Sequence, residues 1–335
     1  ERYSQLRSAK YDVVVIGAGI IGLSTAMNLL ERFPHLKLAI LEKNAKEGTQ
    51  QSGHNSGVIH SGIYYKPGSF KAKFCVEGRA SMTQFCEEND IPVWTCGKLI
   101  VANDDAGIER LNALEERGTA NQVEGLRMMG EDEIVEIEPH VIARKALYAP
   151  GTGIVDYRNV TAVYASRVKA AGGVIEFNTE LIGSKNVSGS TILETTSGEF
   201  EAGNVINCAG LHSDIVAETM GVETGLRIIP FRGEYYRLPP GKNNIVKHLI
   251  YPVPDPALPF LGVHLTRMIG GCVTVGPNAV LGFSREGYAK GSINIRDVAQ
   301  MVRFGGFWKL MKQHMRTGIS EMKNSMSKQG YLERC

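Results

Sequence analysis

The chain has 335 residues, 43% hydrophobic and 21% charged, a composition that fits a globular protein of two domains, or one large α/β domain with an insertion. A net charge of +2 gives no basis for nucleic acid as a partner. Cysteines stand apart at Cys75, Cys86, Cys96, Cys208, Cys272 and Cys335, with no C-x-x-C pair and no histidine cluster beside them, so the sequence predicts no metal site, no disulfide framework and reduced thiols.

In chain order, "YDVVVI" (11–16) is a short β-branched run that reads as a buried strand. "GAGIIG" follows, then "LSTAMNLLERF" with helical apolar spacing up to Pro34, then a second buried strand, "LKLAILEK" (36–43). Together they form a βαβ unit. Residues 71–90 read as a helix, "GKLIVAND" as a strand, and "AGIERLNALEERGTANQV" as an amphipathic helix with a polar outer face. "TGIVDYRNVTAVYASRVKAAGG" reads as a loop feeding a helix that ends at Gly172-Gly173. The stretch from "VIEFNTELIG" to "NCAG" alternates short strands with glycine turns, as a small antiparallel sheet would. Between Pro230 and Pro259, "EYYRL" and "KHLIYPV" read as strands joined by long connections, and residues 297–326 are helical, Met-rich and locally basic. No apolar run is long enough to span a bilayer, and no signal or transit pattern precedes the first strand.

Gly17, Gly19 and Gly22 complete G-x-G-x-x-G between strand and helix. The first glycine permits the tight turn, the second lets the backbone approach a pyrophosphate, and the third lets helix and strand pack closely. Glu42 ends the second strand, where a carboxylate accepts hydrogen bonds from ribose hydroxyls and disfavours a 2′-phosphate. The arrangement predicts dinucleotide binding, and the motif alone leaves NAD and FAD open.

The downstream order separates them. A glycine-serine stretch, "TQQSGHNSGVIHSGIYYKPGSF" (49–70), follows the second strand, and "GNVINCAGLHSD" later places a strand ahead of Ala209-Gly210. Here the chain resembles the FAD-dependent amino-acid and hydroxy-acid oxidoreductases. Eight segments in order narrow the resemblance to the L-2-hydroxyglutarate dehydrogenase branch: "GHNSGVIHSGIYYKPGS", "GKLIVA", "TGIVDYR", "CAGLHSD", "PFRGEYY", "IYPVPD", "PFLGVHLT" and "GPNAVLGFSREGY". The implied fold is α/β, a Rossmann-type, glutathione-reductase-like FAD domain with a discontinuous α+β substrate domain on a mixed or antiparallel sheet. By motif position the FAD domain takes 9–74 and 151–225, and the substrate domain takes 75–150 and 226–335.

The resemblance further implies noncovalent FAD and oxidation of a small dicarboxylic 2-hydroxy acid to 2-oxoglutarate by hydride transfer from C2 to flavin N5. Electrons would pass to a quinone or carrier at the mitochondrial inner membrane in a eukaryote, or at the cytoplasmic membrane in a bacterium. Ser52, His54, Asn55 and Ser56 can donate to pyrophosphate and ribityl oxygens, with Gly53 and Gly57 allowing close approach. The implied cofactor set extends to Ile20, Ile21, Lys43, Ser61, Gly62, Leu181, Cys208, Ala209 and Gly210. His60 is the first choice for the base that takes the hydroxyl proton, and His264 is its competitor. Tyr64, Tyr65, Lys66, Arg232 and Tyr236 are the candidates to bind the substrate, Arg232 because a guanidinium grips a carboxylate bidentately.

Lys309, Lys312 and Arg316 lie near Phe304, Phe307 and Trp308, a pattern that suits an anionic membrane surface but more commonly packs on a domain, which is the preferred reading. The family pattern continues past "SKQGYLERC" into a third FAD-domain segment with a glycine-arginine strand. That segment is not found here, so several of the family's contacts are expected to be missing. An amine or amino-acid oxidase on the same scaffold, and a non-catalytic relative, are the competing readings.

Overall fold

A β-branched run buried on both faces needs a parallel neighbour on each side, and the first strand has two. The computed structural model describes residues 10–255 and 262–326. The start of "PFLGVHLT" and the closing "SKQGYLERC" lie outside the described residues. The chain begins with β1 (Lys10–Ile16), α1 (Ile20–Arg32) and β2 (Leu38–Leu41). Next come β3 (Val58–Ile59), α2 (Phe70–Glu88), β4 (Val93–Trp94), β5 (Lys98–Ala102) and α3 (Asp105–Ala120). β6 (Arg127–Gly130), α4 (Glu131–Ile137), β7 (Lys145–Ala149), β8 (Gly153–Val155) and α5 (Tyr157–Ala170) follow. Then come β9 (Val174–Glu176), β10 (Leu181–Val187), β11 (Ser190–Thr195), β12 (Gly198–Asn207) and α6 (Ser213–Thr219). The described chain closes with β13 (Phe231–Arg237), β14 (Leu249–Pro252), β15 (His264–Arg267), β16 (Val273–Leu281), α7 (Ile295–Arg303) and α8 (Gly305–Met326).

Two compact units result. The first contains the described residues through Asn55, then Tyr157–Pro230 and Phe283–Gly306. Its sheet runs β10-β11-β12-β1-β2-β9, with β1 parallel to both β12 and β2. Val14, Ile16, Ala39, Leu41, Leu193, Phe200 and Ala202 form a core under it, and α1 packs on α5. The antiparallel strands read from 174–210 are therefore not a separate small sheet. β12 is long enough to pair with β11 on one edge and β1 on the other, which joins the meander to the central sheet.

The second unit contains Ser56–Asp156, Phe231–Gly282 and the described residues from Phe307. Its mixed sheet runs β13-β16-β15-β14-β5-β7-β6, and β3-β8-β4 form a small antiparallel sheet. β5 lies inside the large sheet, parallel to β14 and antiparallel to β7. Its alternation sends Leu99 into one core with Met129, Ala146 and Ile250, and Ile100 into another with Ile63, Leu111 and Leu147.

These limits differ from the sequence reading at four stretches, with 56–74 and 151–156 in the second unit and 226–230 and 283–306 in the first. Residues 56–74 fall in the second unit, because Val58 and Ile59 pair with β8. Residues 283–306 fall in the first, where the Arg285 guanidinium grips Asp214 through two bonds of 2.7 and 2.9 Å.

Candidate active site

In the first unit, the turn after β1 has room for backbone only. Gly17 holds φ +104°, and a Cβ there would sit 2.6 Å from the Cys208 carbonyl oxygen. A Cβ on Gly22 would sit 2.0 Å from the Gly17 carbonyl, so the third glycine is fixed by the first. Gly19 caps α1 with no side-chain hydrogen bond, which leaves the helix N-terminus to attract an anion. Ser52 Oγ accepts from Ile20 N–H at 2.9 Å. Buried Glu42 accepts from Ala18 N–H at 2.8 Å and from the Asn44 backbone and side chain at 2.8 and 2.7 Å. That carboxylate therefore also braces the glycine turn.

Around this turn opens a cavity of about 410 Å³. Gly17, Gly19, Ile20, Ile21, Glu42, Lys43, Ser52, Asn55, Leu181, Cys208, Ala209 and Gly210 all line it. Gly22 stands behind it as a packing residue. His54 is exposed, stacks on Tyr288 with ring centroids 3.7 Å apart, and is bonded through Nδ1 to the Gln50 carbonyl. A backbone cradle that a Cβ would fill, a helix end whose cap residue is a glycine and an apolar-walled cavity fit a dinucleotide.

Sequence reasoning missed Arg285 and Glu286, which line the same cavity. Arg285 is 4% exposed and ion-paired with Asp214. Burial raises the Asp214 carboxyl, but bonds from Arg285 and from Ile228 N–H outweigh it and hold the carboxyl below its ordinary value. Glu286 pairs with Lys43 and lies 3.4 Å from His212. His212, opposed by burial and aided by Lys43, draws its carboxyl down to about 2. "GFSREGY" contributed to the resemblance, and its Arg-Glu pair was the signal that pointed there.

In the second unit the structure brings His60, Tyr64 and His264 into one buried cluster with Tyr251 and Lys98. The His264 ring stacks on Tyr251 at 3.8 Å, and its Nδ1–H donates to the Gly262 carbonyl at 3.0 Å, which fixes the tautomer and leaves Nε2 as an acceptor. Lys98 Nζ lies 4.5 Å from the Tyr64 ring centroid and 5.0 Å from that of Tyr251. His60 Nδ1 and Tyr64 OH are buried without a hydrogen-bond partner among the described residues. Burial first, then Lys98 and His264, draws His60 down to about 3. Burial, partly offset by the Gly262 bond and reinforced by Lys98, draws His264 to about 4. Burial likewise raises the Tyr64 phenol well above its ordinary range.

The other candidates lie elsewhere in this unit. Tyr65 is half-buried, and its carbonyl, like that of Gly62, accepts from Asn121 Nδ2. Lys66 is exposed ahead of α2 and does not join the cluster. Arg232 and Tyr236 occupy half-buried positions of β13, and the Arg232 guanidinium donates to Glu234 at 2.7 Å. Half-buried Ser56 precedes Gly57, whose added Cβ would lie 2.7 Å from the Val155 carbonyl. Ser61 is 1% exposed and accepts from Thr152 Oγ1 at 3.3 Å. Ser56, Gly57, Ser61 and Gly62, implied as cofactor residues, thus belong to the second unit, and the close approach that required Gly57 is to β8.

Comparison with known proteins adds an independent line. The family of FAD dependent oxidoreductases matches residues 12–314. The L-2-hydroxyglutarate dehydrogenase of Escherichia coli K12 is 48% identical over 323 residues, 96% of this chain and 76% of that enzyme. The human mitochondrial L-2-hydroxyglutarate dehydrogenase is 43% identical over 327 residues, 94% of this chain and 71% of that enzyme. Among solved structures, an L-α-glycerophosphate oxidase from Mycoplasma pneumoniae with FAD bound superposes with TM-score 0.76 at 26% identity, over 89% of this chain and 78% of that one. Glycine oxidase from Geobacillus kaustophilus shares the fold, with TM-score 0.71 at 22% identity over 82% of this chain and 73% of that one.

Proposed function

This chain belongs to the FAD-dependent oxidoreductase family, and from that premise we propose that it oxidises L-2-hydroxyglutarate to 2-oxoglutarate. The observation that carries the reading is 48% identity over 96% of the chain to an enzyme of that activity. The first unit would hold noncovalent FAD, its pyrophosphate by the Gly17–Gly22 turn and α1 N-terminus and its adenosine ribose by Glu42, with Leu181, Cys208 and Ala209 among the walls. Bound FAD supplies the acceptor for the hydride that leaves C2.

The second unit supplies the proton chemistry. Oxidation removes a hydride from C2 and a proton from its hydroxyl, leaving a C2=O double bond, so a neutral base must accept that proton. His60 is the base. Its buried Nδ1 lacks a donor among the described residues, and the substrate hydroxyl provides one. His264, held by Gly262 and stacked on Tyr251, orients the hydroxyl-bearing carbon. Tyr64, which shares the cluster with both histidines, lines the acid. Electrons leave to a quinone or carrier, at the mitochondrial inner membrane in a eukaryotic source or the cytoplasmic membrane in a bacterial one. No helix among the described residues is long and apolar enough to cross a membrane, and exposed Trp308 and Met315 on α8 favour peripheral contact.

The test is product formation with a dye acceptor. The L-acid should yield stoichiometric 2-oxoglutarate, and the D-acid should be turned over at least about 100-fold more slowly. Peroxide release with amino acids, and none of this product, would replace the reading with an amine oxidase on the same scaffold.

A further inference from the structure

Lys98 is 1% exposed at the start of β5. An ammonium in that position needs a counter-charge or a hydrogen-bond acceptor. The groups facing it are Cys75 from α2, His60 and Tyr64 from the segment ahead of α2, Tyr251 from β14 and His264 from β15. None is a carboxylate, and Lys98 makes no ion pair or hydrogen bond to one among the described residues. The Tyr64 and Tyr251 rings present their π faces to it. Beside it, the Tyr64 hydroxyl is buried without a partner. A buried cation thus lies over the ring of a tyrosine whose hydroxyl is unpartnered, in the same cluster as a histidine nitrogen without a partner, and no carboxylate faces it among the described residues. A 2-hydroxy acid offers the missing partner to each group. The other cations considered do not fill this role, since Lys66 is exposed and Arg232 is bonded to Glu234.

We propose that Lys98, seconded by the Tyr64 hydroxyl, is the cationic anchor that receives a carboxylate of the substrate, an assignment that rests on the functional reading above. Burial, opposed by Cys75, draws the Lys98 ammonium down to about 7. An incoming carboxylate stabilises the charged form, so ligand binding above neutrality draws in a proton.

The experiment uses flavin-loaded protein and 2-oxoglutarate, titrated calorimetrically at pH 8 in two buffers of different ionisation enthalpy. Bleaching of the wild-type flavin by L-2-hydroxyglutarate is checked first, and its absence defeats the functional reading rather than this assignment. With bleaching established, the wild type should take up about 0.9 proton per 2-oxoglutarate bound. Lys98→Met should abolish the uptake and raise Kd about 100-fold, with KM affected more than kcat, and Lys98→Arg should recover most of the affinity. Unchanged Kd and undiminished proton uptake in Lys98→Met would overturn the assignment. If that variant does not fold, Lys98→Gln takes its place, and an unchanged Kd for 2-oxoglutarate overturns it.

Discussion

Two histidines share the buried cluster, and their bonding separates their roles. His264 spends Nδ1 on the Gly262 carbonyl, whereas His60 keeps a buried nitrogen unmatched. His60→Gln should slow anaerobic flavin reduction about 1000-fold, and His264→Gln about 10- to 100-fold. Stopped-flow rates in the opposite order would exchange the two roles. A base works when unprotonated, and His60 and His264 titrate at about 3 and 4, so both are neutral above pH ~5. The second-order rate of flavin reduction should therefore be flat from about pH 5 to about 7, with no acid limb near the ordinary histidine value. Above about 7 it should fall as Lys98 loses its proton. A rate that rises through pH 6–7 would show the base to be an ordinary histidine. His60, His264 and Tyr64 were legible because glycine-rich sequence and resemblance mark them. Lys98 was not, since a lysine opening "GKLIVA" reads as a strand-end residue in solvent. Its burial comes from α2 and β14, which local sequence does not reveal.

At the scale of elements, the βαβ start was the most legible part. Its apolar runs, glycine spacing and Pro34 stop are local signals, and β1, α1 and β2 form where those signals lie. What local signals do not carry is pairing at long range. β12 joins β1 across some 190 residues of chain, so the meander of 174–210 gives no hint that it extends the central sheet. The glycine turn offers a direct test. Gly22→Ala would force a Cβ to 2.0 Å from the Gly17 carbonyl, so purified protein should lose most of its 450 nm absorbance per chain, with Tm lowered by several degrees. The buried Arg285–Asp214 pair offers another. Arg285→Met leaves the buried Asp214 carboxylate with the Ile228 N–H and Arg227, 3.7 Å away, among its remaining partners, and should cost about 3 kcal/mol in denaturant unfolding. Adding Asp214→Asn should restore part of that loss, because the buried charge is then gone. Additive losses would show that the pair does not act as a unit.

For the whole molecule, each unit is assembled from three stretches of chain. The sequence reading anticipated discontinuity, yet it drew the limits by motif position, and the ion pair that ties 283–306 to the first unit has no local signature. The buried histidines also set how the molecule responds to acid. Each has a folded-state value depressed from 6.5, to about 3 and about 4. Between those values and 6.5 the unfolded chain binds more protons, so stability is fully present above about 6.5 and is lost as pH falls. From pH 7 to 5 the two should together remove a few kcal/mol, roughly 2 kcal/mol each, and His60→Gln should flatten the decline of Tm over that range. The central claim is tested most directly by an anaerobic absorbance spectrum taken before and after adding L-2-hydroxyglutarate. Flavin bands that bleach with this acid, and not with its D-enantiomer or sarcosine, are the predicted result. Bound flavin that stays oxidised with L-2-hydroxyglutarate would contradict it.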